Sequence, residues 1–352
     1  MENIIALQQK IAPELGEVIE RRYAILRHVY FSQPVGRRVL ASRLRAPERT
    51  IRNEIDFLKD RGLLAVDVTG VKVTREGEDI LWKLGDYVRL LRGFAHLEDE
   101  LARALGLAKV VVVPGDADED STVKKEVGRA AARLLRDIVR DGDIIAVGGG
   151  TTMAAVAEAV PAPWPRHDVT IVPARGGLGE DVEKQADTIA ATMAKRMGGV
   201  YRLLNVPDDL PAETLSMISD DPRIREILDM IKKARIVMHG VGTIEEMVRR
   251  RNLSKEELKT LRSGRAVGET FGYYFNRFGE IVHLTPSMGL RPEDMAGKEV
   301  IAVAAGASKA EAIIAVMANR PREGLICDEG TARMVLEILR RSQSQVSVPN
   351  GA

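Results

Sequence analysis

Ile144-Ile145-Ala146-Val147-Gly148-Gly149-Gly150-Thr151-Thr152 decides the fold class. Four apolar residues in a row suit a strand buried on both faces, and the glycines then hand the chain to a helix that starts near Met153. Working outward, the same strand–glycine–helix unit recurs. Val110–Val113, Val169–Val172, Tyr201–Val206, Arg235–Met238, Val300–Ala304 and Leu325–Cys327 all read as apolar strands followed by helical patterns. Ser121–Arg140 is one such amphipathic helix. Alternation of this kind predicts an α/β domain with a mostly parallel, Rossmann-like sheet covered on both sides.

Upstream of Gly106 the pattern differs. Apolar residues from Ile4 to Val29 keep helical spacing, with a break at Pro13. Val39, Leu40 and Leu44 mark a short helix, Arg45-Ala46-Pro47 a turn, and Ile51, Ile55 and Leu58 the buried stripe of a second helix. Val66–Val68 and Val71–Val73 around Thr69-Gly70 then form a small hairpin, and Arg75–Leu105 reads as one long helix. Helix, turn, helix and hairpin together predict a winged helix-turn-helix domain. We expect a winged-helix domain over 1–88, a linker helix over 89–105, an effector-binding and oligomerisation domain over 106–341 and a disordered polar tail over 342–352. The long helix serves equally well as an intramolecular link or as a contact with a second copy.

Net charge is only +1, but Arg21 to Gly62 holds eleven Lys or Arg against four Asp or Glu. A basic segment in a neutral chain marks a confined anion-binding surface. With the apolar stripe of the second helix turned inward, Arg49, Thr50, Arg52, Asn53 and Asp56 face outward. Arginine can read guanine and asparagine adenine in the major groove, so Arg49, Arg52 and Asn53 suit base edges. Arg37, Arg38, Arg43 and Arg45 suit phosphates, as does Lys72 in the wing. A winged helix can also dock protein, but so one-sided a charge favours double-stranded DNA.

The single cysteine, Cys327, excludes a disulfide framework, and the five scattered histidines make no metal spacing. No cofactor or metal is expected. Neither a signal peptide nor a long apolar run is seen, so the expected location is the cytoplasm.

Four loops carry the binding chemistry, each following the C-terminal end of a strand, where open α/β sheets bind ligands. Gly148–Thr152 combines close backbone approach with the free N–H groups and positive end of a helix dipole, which suits a phosphate, although a tight structural turn uses the same residues. It lacks the Walker ending and the dinucleotide spacing. Gly306-Ala307-Ser308-Lys309-Ala310 reads as a second helix start with Ser308 as its cap, and Lys309 there opposes the dipole unless an anion compensates. Arg175-Gly176-Gly177 and His239-Gly240-Val241-Gly242 complete the set.

Val147–Thr152, Asp181-Val182-Glu183-Lys184-Gln185-Ala186-Asp187, Gly264-Arg265-Ala266-Val267-Gly268-Glu269 and Gly306–Ala310 together resemble the SorC family of sugar-binding transcriptional regulators, over nearly the whole chain to about Arg341. The resemblance implies an effector domain similar to sugar-phosphate isomerases and a phosphorylated sugar as effector. It is strongest to a branch governing glycolytic genes, which implies fructose 1,6-bisphosphate, repression of a glycolytic operon and a homodimer or homotetramer. Carried over by motif, Gly149, Gly150, Thr151, Thr152 and Lys309 would hold one phosphate. Arg175, Gln185 and Glu269 would line the rest. For a second phosphate, Arg175 is the expected clamp, together with Arg250 and Arg251 from the Arg249-Arg250-Arg251 triplet, which alternatively complements a helix end in solvent.

The competing reading is a sugar-phosphate isomerase with an appended module. Isomerisation needs a general base, and Glu269 is the carboxylate best placed for it, with Asp187 second. Glu269 suits hydrogen bonding to sugar hydroxyls equally well. No dedicated acid–base pair is visible, so no catalytic residue is assigned and the regulator is the expected function.

Overall fold

The computed structural model describes residues 2–162, 164, 168–177, 181–208, 210–250, 253–318 and 323–346. The chain divides into two compact units, Met1–Leu97 and Glu98–Ala352.

The first unit opens with α1 (Glu2–Ile11) and α2 (Pro13–Ser32), parted at Ala12. Proline stands at the first position of α2, where its missing N–H costs nothing. Next come α3 (Arg37–Arg43), α4 (Glu48–Asp60), the hairpin β1 (Leu64–Asp67) and β2 (Gly70–Val73), and α5 (Arg75–Leu91). Ile51, Ile55 and Leu58 of α4 are buried with Leu26, Leu40, Val71 and Leu81 in a core separate from the sheet domain's. This is the winged helix-turn-helix that the sequence implies. One correction concerns the long helix. It is two helices, α5 and α6 (Phe94–Leu105), because Gly93 takes a left-handed φ of 66° that a continuing helix cannot hold.

In the second unit β3 (Lys109–Val113), β4 (Ile144–Val147), β5 (Thr170–Pro173), β6 (Val200–Tyr201), β7 (Ile236–Gly240), β12 (Glu299–Val303) and β13 (Gly324–Asp328) form one sheet. Its order is β3-β13-β12-β7-β4-β5-β6, and every pairing is parallel. Alternate residues feed opposite faces. Ile145 and Val147 join one buried cluster with Met238 and Val303, while Ala146 joins another with Val172 and Val237. Both faces are therefore covered, as the apolar runs require.

Between β7 and β12 the chain builds a second, antiparallel sheet: β8 (Gly242–Thr243), β9 (Ala266–Thr270), β10 (Tyr273–Asn276) and β11 (Ile281–Leu284). The helices of this unit are α7 (Ser121–Ile138), α8 (Thr151–Ala159), α9 (Ala186–Met197), α10 (Ala212–Ser219), α11 (Pro222–Lys233), α12 (Ile244–Arg250), α13 (Lys255–Ser263), α14 (Ala310–Met317) and α15 (Glu329–Val346).

Two boundaries differ from expectation. The strand expected over Tyr201–Val206 ends at Tyr201, since Asn205 turns left-handed and Asp187 takes the Leu204 and Asn205 amides at 2.9 and 3.3 Å. The expected tail from 342 is helical as far as Val346, while 347–352 lie outside the described residues.

Candidate functional site: a cationic cleft at the sheet's switch point

The four glycine loops follow β12, β7, β4 and β5, which are neighbours in that order. From β4 the chain proceeds to β5 and β6 on one side, and from β7 to β12 and β13 on the other. The reversal lies between β4 and β7, so Gly148–Thr152 and His239–Gly242 flank the crevice where open sheets take ligands. A cleft of about 260 Å3 opens there. Gly149, Gly150, Thr151, Thr152, Arg175, Arg250, Glu269 and Lys309 all line it.

Local structure explains the glycines. Gly150 caps α8 with φ 111°, a conformation L side chains rarely adopt, and its N–H donates to Lys184 O at 2.9 Å. At Gly149 a side chain would meet that same carbonyl at 2.8 Å. The Asp181–Asp187 motif thus forms a floor, a short 3-10 turn at Val182–Lys184 pressed on the loop. α8 has no side-chain cap, and its leading amides at Thr151 and Thr152 have no backbone acceptor among the described residues. These donors and the positive dipole end face the cleft that Lys309 and Arg250 enter. Arg250 Nη1 stands 3.8 Å from where a Gly150 side chain would begin.

Lys309 is 6% exposed. Its Nζ donates to Val241 O at 2.9 Å and pairs with Glu246 Oε2 at 3.0 Å. Burial pushes the Glu246 carboxyl up, but Lys309, the Thr243 amide and Lys124 outweigh it and hold it below the usual glutamate range. Burial and then Lys309 lower the half-buried Lys124 ammonium. The rest of the Gly306–Ala310 loop behaves differently from expectation. Ser308 is not the cap of a helix, because Asp118 takes both its amide, at 2.7 Å, and its hydroxyl, at 3.1 Å. Asp328 takes the Gly306 amide at 2.8 Å and Asp116 the Ala307 amide at 3.3 Å. The chain's own carboxylates occupy this loop, and only Lys309 reaches the cleft from it.

Arg175 is 8% exposed and faces two carboxylates. Nη2 pairs with Asp208, and Nη1 lies 3.3 Å from Glu269 Oε1. Glu269 Oε1 also accepts the Gly272 N–H at 2.6 Å. Gln185 is not among the residues lining the cleft. Its side-chain oxygen lies against Gly177, and its backbone starts α9. Arg251 lies outside the described residues. Among the described residues no group of three or more His, Cys, Asp or Glu could hold a metal ion, and no helix is long and apolar enough to cross a membrane.

In the first unit Arg37, Arg38, Arg49, Arg52 and Asn53 are exposed, while Thr50 and Lys72 are partly covered. Two carboxylates temper this surface. Glu48 pairs with Arg38 at 3.7 Å and with Arg52 at 3.6 Å, and Asp67 pairs with Lys72 at 2.9 Å.

Residues 91–337 match the family model described as "Putative sugar-binding domain", and residues 18–88 match "CggR N-terminal DNA binding domain". A central glycolytic genes regulator from Priestia megaterium is 43% identical over 95% of this chain and 98% of its own. Its namesake from Bacillus subtilis is 41% identical over 96% and 99%. A solved structure from Enterococcus faecalis, titled a putative SorC family transcriptional regulator, superposes with a TM-score of 0.65 at 38% identity, over 68% of this chain and 99% of that one. The chain belongs to the SorC family of sugar-binding transcriptional regulators. The full-length sorbitol operon regulator SorC from Klebsiella pneumoniae shares the fold across 92% of this chain and 99% of its own, with a TM-score of 0.64 at 18% identity.

This SorC-family chain is a sugar-responsive, DNA-binding transcriptional regulator and not an enzyme, since it matches a sugar-binding and a DNA-binding domain and the relatives that align over nearly all of it are named regulators. The carboxylate that isomerisation would have enlisted, Glu269, has Oε1 engaged by Gly272 and Arg175. Sequence reasoning did not select five residues that line the cleft, Glu246, Met247, Arg249, Thr270 and Phe271, nor the buried Asp208 beside Arg175. Glu246 lies in the first turn of a seven-residue helix whose acidic start and basic end look like ordinary dipole complements, so the sequence carried no signal for it, and Arg249 belongs to the arginine triplet from which only Arg250 and Arg251 were expected in the site.

Proposed function

We propose that this regulator is a cytoplasmic repressor of a glycolytic operon, working as a homodimer or homotetramer, whose hold on operator DNA is weakened by a phosphorylated sugar, fructose 1,6-bisphosphate. The division of labour follows the sequence reading: DNA recognition in 1–88, connection through 89–105 and effector binding in 106–341. The observation that carries the proposal is the cleft, where the uncapped start of α8, Lys309 and Arg250 meet in a chain that also bears a DNA-binding domain. One phosphate on α8 needs the loop and Lys309. Arg249 and Arg250 add cations beyond that, which supports a bisphosphate. The relatives' names support glycolysis as the context. Gel-shift titration on the upstream region of its own operon tests the reading. Fructose 1,6-bisphosphate should release the DNA at lower concentration than fructose 6-phosphate or fructose 1-phosphate. Equal potency of the three would leave a general monophosphate sensor.

On the DNA side, Arg49, Thr50, Arg52 and Asn53 address bases, while Arg37, Arg38 and Lys72 address phosphates. Arg52→Ala should cost about 1–3 kcal/mol on the operator and relax preference at one base pair. Arg38→Ala should weaken all DNA alike and flatten the salt dependence. Anisotropy titrations on operator and random duplexes at several salt concentrations separate the two. If Arg52→Ala lost equal affinity on both duplexes, Arg52 would join the phosphate contacts.

A further inference from the structure

We infer that Glu246 is a built-in competitor of the effector's phosphate. Its carboxylate holds Lys309 until a dianion displaces it, so that ligand entry acts on both ends of α12. The inference rests on the reading of the cleft as a phosphate site and says how that site is regulated.

Among the described residues Lys309 Nζ has two partners, the Val241 carbonyl at 2.9 Å and Glu246 Oε2 at 3.0 Å. A buried ammonium needs an anion, and Glu246 supplies it from inside the chain. Glu246 lines the same cleft as Thr151, Thr152 and Lys309. A phosphate seated on the α8 amides would reach the cation that Glu246 holds, and two like charges beside one ammonium repel. The carboxylate is also favoured as the charged form, because Lys309, the Thr243 amide and Lys124 outweigh the burial that opposes it. Proton uptake therefore gives no easy escape, and Glu246 must move aside.

α12 makes that movement consequential. Glu246 lies in its first turn and Arg250 ends it, with the Arg250 side chain at the Gly150 loop. An anion in the cleft repels one end and attracts the other. The opposing account is that Glu246 only closes the start of α12. Its Oε2 does accept the Thr243 N–H at 3.3 Å, and its own N–H donates to Thr243 Oγ1 at 3.2 Å. Both accounts predict some loss of stability on substitution, but they give opposite signs for ligand affinity.

The test is calorimetry with inorganic phosphate and fructose 6-phosphate on the full chain, comparing wild type, Glu246→Gln, Thr152→Val and the double variant. Glutamine keeps the Thr243 contact and removes the charge. Glu246→Gln should tighten phosphate about ten- to a hundredfold, and Thr152→Val should cancel the gain. Glu246→Asp, with its carboxylate drawn back by one methylene, should tighten it a few-fold and serves if the glutamine variant folds poorly. Amide exchange over 244–250 should be faster in ligand-free Glu246→Gln than in wild type, and alike in both at saturating phosphate. If wild type binds phosphate and Thr152→Val does not, yet Glu246→Gln and Glu246→Asp bind equally or more weakly, Glu246 is a helix cap and the inference fails alone. If no variant binds either ligand, the phosphate-site reading itself falls.

Discussion

Thr152→Val should abolish the sugar-phosphate response at working concentrations while leaving the fold and operator binding intact, and Lys309→Met should do so more severely. Thr152 lies in the first turn of α8 at the cleft and is only 3% exposed, so valine fills its space without disturbing the helix. What is lost is the hydroxyl that, in the proposed site, serves the dianion. Hydrogen bonds to charged groups contribute about 1.5–3 kcal/mol each, which is roughly a ten- to hundredfold loss of affinity. Lys309→Met removes more. It deletes the buried cation and leaves Glu246 in the cleft without it, facing the incoming anion. Affinity should then fall by about a thousandfold or more. In the proposed site the two substitutions address one phosphate, so the double variant should lose less than the sum. Calorimetry with fructose 1,6-bisphosphate, beside gel shifts at fixed operator concentration, reads both consequences. A Thr152→Val protein that releases DNA at the wild-type sugar concentration would remove the α8 start from the site.

The parallel sheet was legible because its strands are buried on both faces. A run such as Ile144–Val147 has few other interpretations, and the four adjacent glycine loops after β12, β7, β4 and β5 follow from it. The antiparallel sheet β8–β11 is not legible in the same way. Its strands are two to five residues long, and Ile281 and Leu284 are exposed, so neither length nor alternation announces them. In retrospect Tyr273–Asn276 and Ile281–Leu284 around Phe278-Gly279 carry the hairpin signal. The break in the helical stretch over 75–105 is hidden for the opposite reason. Its apolar period continues across Gly93, where one left-handed residue redirects the chain.

The cleft was legible wherever backbone chemistry carries it. Gly149, Gly150, Thr151 and Thr152 are fixed by local rules of glycine conformation and helix starts, and all of them line the cleft. Long-range pairing was not legible. Nothing local in Ser308 says that Asp118, 190 residues earlier in the chain, will take its amide and hydroxyl. Asp116 and Asp118 belong to an acidic stretch that only the fold brings to the Gly306 loop. Arg175 shows the same limit, since a guanidinium beside two glycines looks open to a phosphate and the carboxylates that face it are distant in sequence.

Arg175→Ala should therefore act first on stability. The guanidinium stands between Asp208 and Glu269, all three residues under 9% exposed. Gly272 makes room for it, since at φ 81° a side chain there would meet Arg175 Nη1 at 2.8 Å. Alanine leaves two buried carboxylates with their shared cation gone. Breaking a buried pair in this way costs about 3–5 kcal/mol, a large part of the roughly 5–15 kcal/mol that holds a domain together. Denaturant unfolding of the sugar-binding unit should show the loss. Sugar binding should weaken for bisphosphate and monophosphates alike, because Glu269 loses one of the partners on its Oε1. Arg175→Lys should recover only part of the stability, since an ammonium cannot face both carboxylates with a planar fork. An Arg175→Ala protein within about 1 kcal/mol of wild type in stability, yet selectively indifferent to the second phosphate, would instead make Arg175 a clamp that leaves its two carboxylates when the effector arrives.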